Sequence, residues 1–134
     1  NDLLTVRTGN AGLTGVVPKS LNMSQCFTML ISTLNVNINP YFYSYFLNST
    51  PGKTYFNLTA WGTAQKNISV PILKEMLVPI FSHFEQAEIV RYLQENDIKF
   101  DNLVSRLKKQ IKKLKEYRKV LVYEVVTGNI DVRD

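Results

Sequence analysis

The chain has 134 residues, 45% of them hydrophobic and 20% charged, which leaves room for one compact domain, or a smaller domain plus one extended element, and argues against disorder over most of it. No run approaches the roughly 18 consecutive apolar residues of a membrane span and no signal sequence is visible at its start, so it reads as a cytoplasmic protein with no membrane association. With a single cysteine, Cys26, and a single histidine, His83, an internal disulfide is impossible and a structural metal site is not expected.

The formal net charge is +5, but nine Lys/Arg against two acids between Lys99 and Lys119 give a local +7, leaving −2 for the rest. A cationic stripe suits phosphate attraction, although a charge run on a long helix is more often a solvated face.

In chain order, Leu3-Leu4-Thr5-Val6 reads as a strand, Gly9 to Gly15 as a glycine-rich turn, and Phe27-Thr28-Met29-Leu30-Ile31 as a second strand. Asn39-Pro40 starts a helix whose apolar face takes in Tyr41, Phe42, Tyr45, Phe46 and Leu47, and Pro51-Gly52 closes it. Trp61 to Asn67 reads as an exposed loop. Met76-Leu77-Val78-Pro79-Ile80 is the last strand candidate. The expected fold class is α+β: a small, mixed, β-rich unit over residues 1–84, followed by one long coiled-coil helix over 85–128 and a tail over 129–134.

From Glu85 to Val126 there is neither Pro nor Gly, and Leu93, Phe100, Leu107, Leu114 and Leu121 recur every seven residues. Leu103, Val104, Ile111, Tyr117 and Val125 fill the adjoining stripe. About forty residues at 1.5 Å each make a rod of roughly 60 Å. Glu85 and Glu88 at its start and the Lys/Arg excess toward its end favour the helix dipole, and Gly128 ends it. A small unit cannot cover so long an apolar stripe. The expected pairing interface is Leu93, Phe100, Leu103, Leu107, Ile111, Leu114, Tyr117, Leu121 and Val125, and a homodimer is expected of the isolated chain.

Leu114-Lys115-Glu116-Tyr117-Arg118, then Leu121 and Val126-Thr127-Gly128-Asn129-Ile130-Asp131-Val132-Arg133, closely resemble the end of the conserved helical region in Type I restriction-modification specificity subunits. Upstream, Asp2-Leu3-Leu4 with Arg7-Thr8-Gly9 and Gly12 resembles the strand and turn in the middle of a target recognition domain of that family. Asn39-Pro40-Tyr41 with Tyr45-Phe46-Leu47 resembles its N-P-x-Y-x-x-Y-F-L helix, Gly62 to Ser69 its G-x-x-Q-x-N-I-S loop, and Glu85-Gln86 with Ile89 and Leu93 the start of its helical region. Asn129 stands where many relatives have Lys, and Phe81-Ser82-His83-Phe84 replaces a Pro-rich approach. A full subunit of that family has two recognition domains and two long helices paired antiparallel, so the resemblance implies the later part of one domain and one helix. It also implies double-stranded DNA as a partner, with methyltransferase subunits docked on the helix and restriction subunits reached through them. No cofactor is implied, and catalysis belongs to the partner subunits.

The residues agree that enzyme readings are poor. Asn39-Pro40-Tyr41-Phe42 lacks the second proline of the adenine-gripping methyltransferase motif, and Gly9, Gly12 and Gly15 lack the Lys-Ser/Thr element of a phosphate loop. His83 has no companion nucleophile, and Glu85 with Glu88 at helical spacing reads as a capping feature rather than an acid/base dyad. Base reading needs donors and acceptors on loops that can enter a groove. The candidate DNA-binding residues are therefore Arg7, Thr8, Gly62, Thr63, Gln65, Lys66 and Asn67: Gln and Asn can bond bidentately to adenine, Lys can reach a phosphate or guanine, and Gly lets the backbone approach. The competing reading is an oligomerisation module whose truncated recognition domain no longer reads DNA.

Overall fold

The computed structural model describes every residue except Asn1, Asn22, Met23, Ala64 and Asp134. Ala64 of the expected reading loop and the outermost residues of the expected 1–84 and 129–134 ranges thus lie outside the described residues. The fold is α+β, as expected, and the chain forms two compact units, Asn1–Arg91 and Tyr92–Asp134.

The first unit is built on a three-stranded antiparallel sheet of order β2-β1-β3, with β1 at Asp2–Val6, β2 at Thr14–Val16 and β3 at Met29–Thr33. In β1 the side chains of Leu3 and Thr5 alternate inward and are almost fully buried. Thr5 stands opposite Thr14, and their hydroxyls share a buried hydrogen bond of 2.9 Å. The short edge strand β2 is clipped at both backbone groups of Thr14, whose N–H donates to Asn48 Oδ1 (3.0 Å) and whose carbonyl accepts from Asn48 Nδ2 (2.6 Å). β2 begins inside the stretch expected to be turn and runs one residue past it, and β3 is shifted two residues along the chain from the expected second strand. Pairing with β1 from Asp2↔Thr33 to Val6↔Met29 decides that register, not the local run of apolar residues.

Helix α1 (Pro40–Asn48) starts where expected, with Pro in the first turn and the Asn39 side chain accepting from the Tyr41 N–H at 3.0 Å. Its buried residues are Phe42, Tyr43 and Leu47. Tyr41, placed on the apolar face by its spacing, is instead exposed, and Tyr43 takes the inner position with its hydroxyl donating to the Pro79 carbonyl (3.1 Å).

Pro51-Gly52 does not end the helical region. Pro51 sits in the first turn of a second helix, α2 (Thr50–Thr59), where its missing N–H costs nothing. A Cβ on Gly52 would collide with the Leu47 carbonyl, so glycine lets α2 begin directly on the end of α1. Val70–Lys74 forms a short helix, α3, and the expected strand at Met76–Ile80 is irregular. Only Met76 of that stretch is buried, and Pro79 has no N–H to give a sheet.

The core gathers Leu3, Phe42, Leu47, Phe56, Ile68, Ile72, Met76 and Val90. Val90 belongs to the long helix α4 (His83–Val126), which explains why the boundary between the units falls inside that helix. Ser82 and Glu85 form a capping box: Glu85 Oε2 accepts from the Ser82 N–H (2.9 Å) and hydroxyl (2.7 Å), and Ser82 Oγ accepts from the Glu85 N–H (3.2 Å). Those bonds hold the Glu85 carboxyl below the usual carboxylate range, the hydroxyl bond first and the backbone bond second. Buried Gln86 joins two motifs far apart in sequence, its Oε1 accepting from the Asn39 N–H (2.9 Å) and its Nε2 donating to the Phe81 carbonyl (2.8 Å).

In the second unit α4 runs to Val126, two residues short of the expected end, and the turn after it is closed by Gly128, whose φ is +79°. The Gly128 N–H donates to the Val125 carbonyl (3.2 Å) and the Asn129 N–H to the Glu124 carbonyl (2.9 Å), the paired bonds of a Schellman turn.

Candidate nucleic-acid interface

Residues 61–67 form a loop whose neck is closed by reciprocal backbone bonds, Trp61 N–H to Asn67 O (2.9 Å) and Asn67 N–H to Trp61 O (2.8 Å). Gly62 has a φ of +99°, and a Cβ there would collide with the Gln65 carbonyl, so glycine alone closes this loop without strain. The neck is tied to the end of β1: Thr8 and Asn67 form an antiparallel bridge, and the Ile68 N–H donates to the Arg7 carbonyl at 2.9 Å. Ile68 itself is fully buried. The sequence therefore plants one apolar anchor beside a polar tip.

The candidate residues stand in different situations. Gln65 and Thr63 are exposed. Asn67 is exposed as well, but its Oδ1 accepts from the Thr8 hydroxyl at 2.5 Å. That bond engages one of the two lone pairs of Oδ1 and fixes the orientation of the amide, which keeps a second lone pair and its Nδ2 donor for bidentate recognition of adenine. Lys66 folds onto α2, its Nζ donating to the Asn57 carbonyl (2.6 Å) and to Asn57 Oδ1 (3.2 Å). Arg7 is exposed at the end of β1.

Two grooves border the loop. One, of about 570 Å³, is lined by Thr63, Gln65 and Lys66 together with the Gly9–Leu13 turn and Lys53 and Asn57 of α2. The other, of about 620 Å³, is lined by Arg7, Trp61 and Asn67 with Ser69, Pro71 and Glu75 among its neighbours. Gly12 brings the turn against α2, since a Cβ there would collide with the Phe56 ring, and its φ is +94°. Lys53, Asn57 and Trp61 escaped the list of sequence candidates. The missed signal for the first two is Ser49-Thr50-Pro51, a cap position followed by Pro in a first turn, which announces α2.

The second unit carries a different surface. Phe100, Leu103, Leu107, Ile111, Leu114, Tyr117 and Leu121 are all exposed, and Leu93 and Val125 half-buried. Among the described residues no group of three or more His, Cys, Asp or Glu could hold a metal, and no helix is long and apolar enough to cross a membrane.

Residues 1–114 match the family described as the Type I restriction modification DNA specificity domain. The chain belongs to this family. No solved structure matches the chain. The match to the specificity domain covers all of the first unit and α4 as far as Leu114, so it includes the strand, turn, N-P helix and polar loop and stops short of the Val126–Arg133 end of the sequence.

Proposed function

We propose that the chain serves as a non-catalytic sequence-reading part of a Type I specificity subunit, with base contacts made by the loop of residues 61–67 and the neighbouring end of β1. The observation that carries this reading is the polar loop itself: Gln65 and Thr63 exposed on a glycine-closed tip, braced on the buried Ile68, within a chain of the specificity-domain family. Gln65 is the principal base reader, because its side-chain amide offers a donor and an acceptor together. Arg7 reads from the neighbouring groove, Thr8 and Asn67 act as one bonded pair, Gly62 shapes the tip, and Lys66 faces phosphate. The exposed stripe of α4 pairs with another helix, a second copy when the chain is isolated, and the paired helices dock methyltransferase subunits and, through them, restriction subunits. Such a role places it in the cytoplasm with the DNA.

The test is selection of duplexes from a random pool by the assembled complex, followed by affinity measurement on the enriched site. Gln65→Ala is expected to cost about 1–3 kcal/mol on that site and little on unselected DNA. Equal binding of both DNAs by the unaltered complex would favour the reading as a pairing module alone, which the length of the exposed apolar stripe also supports.

A further inference from the structure

The two grooves beside the loop differ in charge. The one between the Gly9–Leu13 turn, α2 and the loop is lined by Lys53 and Lys66 and, among the described residues, by no acidic one, whereas the other is lined by Glu75 as well as Arg7. Lys53 is exposed and has no ion-pair partner among the described residues. Lys66 is restrained: Asn57 takes two of the three hydrogens of its ammonium through the carbonyl and Oδ1 contacts, leaving one donor unused.

We propose that this first groove seats one sugar-phosphate strand of duplex DNA, with Lys53 and Lys66 each contacting a phosphate and Asn57 acting as the positioning residue for Lys66. The inference rests on the DNA-reading proposal and adds to it a backbone anchor on α2. Three observations converge. The cations are uncompensated within the groove. The lysine with the more restricted side chain has already lost the rotamer freedom that binding would otherwise remove, so its contact forms at lower entropic cost. Gln65 lines the same groove, so a strand held there brings its bases into register with the residue that offers a base-reading amide. A free phosphate could satisfy the same donors, but two lysines, one on α2 and one on the loop, suit a continuous strand with successive charges.

Phosphate contacts are indifferent to sequence, so the experiment needs no knowledge of the target. Binding of a mixed-sequence duplex to the full chain is measured across a salt series. Lys53→Gln is expected to reduce the slope of log K against log salt by about one, and Lys53→Gln with Lys66→Gln by about two. Lys53→Arg should restore the slope. Asn57→Ala, which removes the Oδ1 contact and keeps the carbonyl one, is expected to weaken binding slightly while leaving the slope near that of the unaltered chain, because the charge remains and only its placement is loosened. Inorganic phosphate added at constant ionic strength should compete poorly; efficient competition would assign the groove to a free anion and overturn the proposal. If the unaltered chain binds duplex and the double variant keeps the full slope, the strand lies elsewhere and only this inference falls. If the unaltered chain binds no duplex, either alone or in the assembled complex, the DNA-reading proposal falls and takes this one with it.

Discussion

The two units solve the problem of apolar side chains in opposite ways. In residues 1–91 Leu3, Phe42, Leu47, Phe56, Ile68 and Ile72 are removed from water by one another. In residues 92–134 the corresponding residues lie along one helix and remain exposed, Phe100 at 62%, Leu114 at 66% and Tyr117 at 66%. A lone helix has no second layer against which to bury a stripe. The first region therefore carries its own stabilising core, and the second leaves exposed the stripe that the pairing proposal would cover.

The largest effect expected from breaking this contrast comes from Leu107→Asp. A carboxylate at the middle of a buried seam would have to be desolvated without a counter-charge, so sedimentation at tens of micromolar should show the dimer of the unaltered chain replaced by monomer. The first unit should keep its fold in that variant. A chain that is already monomeric before substitution would remove the pairing proposal. Next in size is Ile68→Ala, which empties a fully buried position and should cost about 2–5 kcal/mol in denaturant unfolding of the first unit. That loss should be independent of protein concentration, unlike the effect of Leu107→Asp. A concentration-dependent loss would mean that the two units do not differ as argued.

What could be read in the sequence follows the same division. α4 was legible to within two residues at each end, expected at 85–128 and observed at His83–Val126, because a helix writes its period locally, and neither its heptad pattern nor Gly128 depends on distant residues. β1 and the Asn39-Pro40 start of α1 were legible for the same reason. The rest depended on partners far away in the chain. The limits of β3 are set by pairing with β1, and the apolar residues at Met76–Ile80 find no strand to join. Pro51-Gly52 reads as a stop in isolation, yet Pro suits a first turn and Gly52 allows two helices to abut.

The candidate interface was half legible for a related reason. Polar residues and Gly62 mark the loop, but whether a polar group is available is a three-dimensional fact. Nothing in the spacing of Thr8 and Asn67 announces that the hydroxyl of one donates to the amide oxygen of the other and fixes its orientation. Nothing in the residues around Lys53 places it in the groove that holds Gln65, because that juxtaposition depends on α2, on the collision-free approach of Gly12 to Phe56, and on the Lys66–Asn57 contact.

The smallest expected effect sharpens the contrast at the point where the first unit hands over to the long helix. Ser82 and Glu85 bond reciprocally, and the hydroxyl and backbone N–H of Ser82 favour the charged form of the Glu85 carboxyl. The folded-state pKa is therefore depressed below the unfolded one. Whatever the box contributes is present above the unfolded carboxylate pKa and is lost as pH falls through the lower folded value. Because the group is fully exposed, the consequence should be local fraying of the first turn of α4 in acid rather than unfolding of the core. Titration of the Glu85 side-chain carboxyl by NMR should give a midpoint below that of an ordinary glutamate, and Ser82→Ala should move it upward. Glu85→Gln should remove the acid-dependent loss of first-turn amide protection. If Ser82→Ala leaves the midpoint unchanged, the carboxylate is not held by the cap, and the start of α4 depends instead on the half-buried bonds of Gln86 to Asn39 and Phe81.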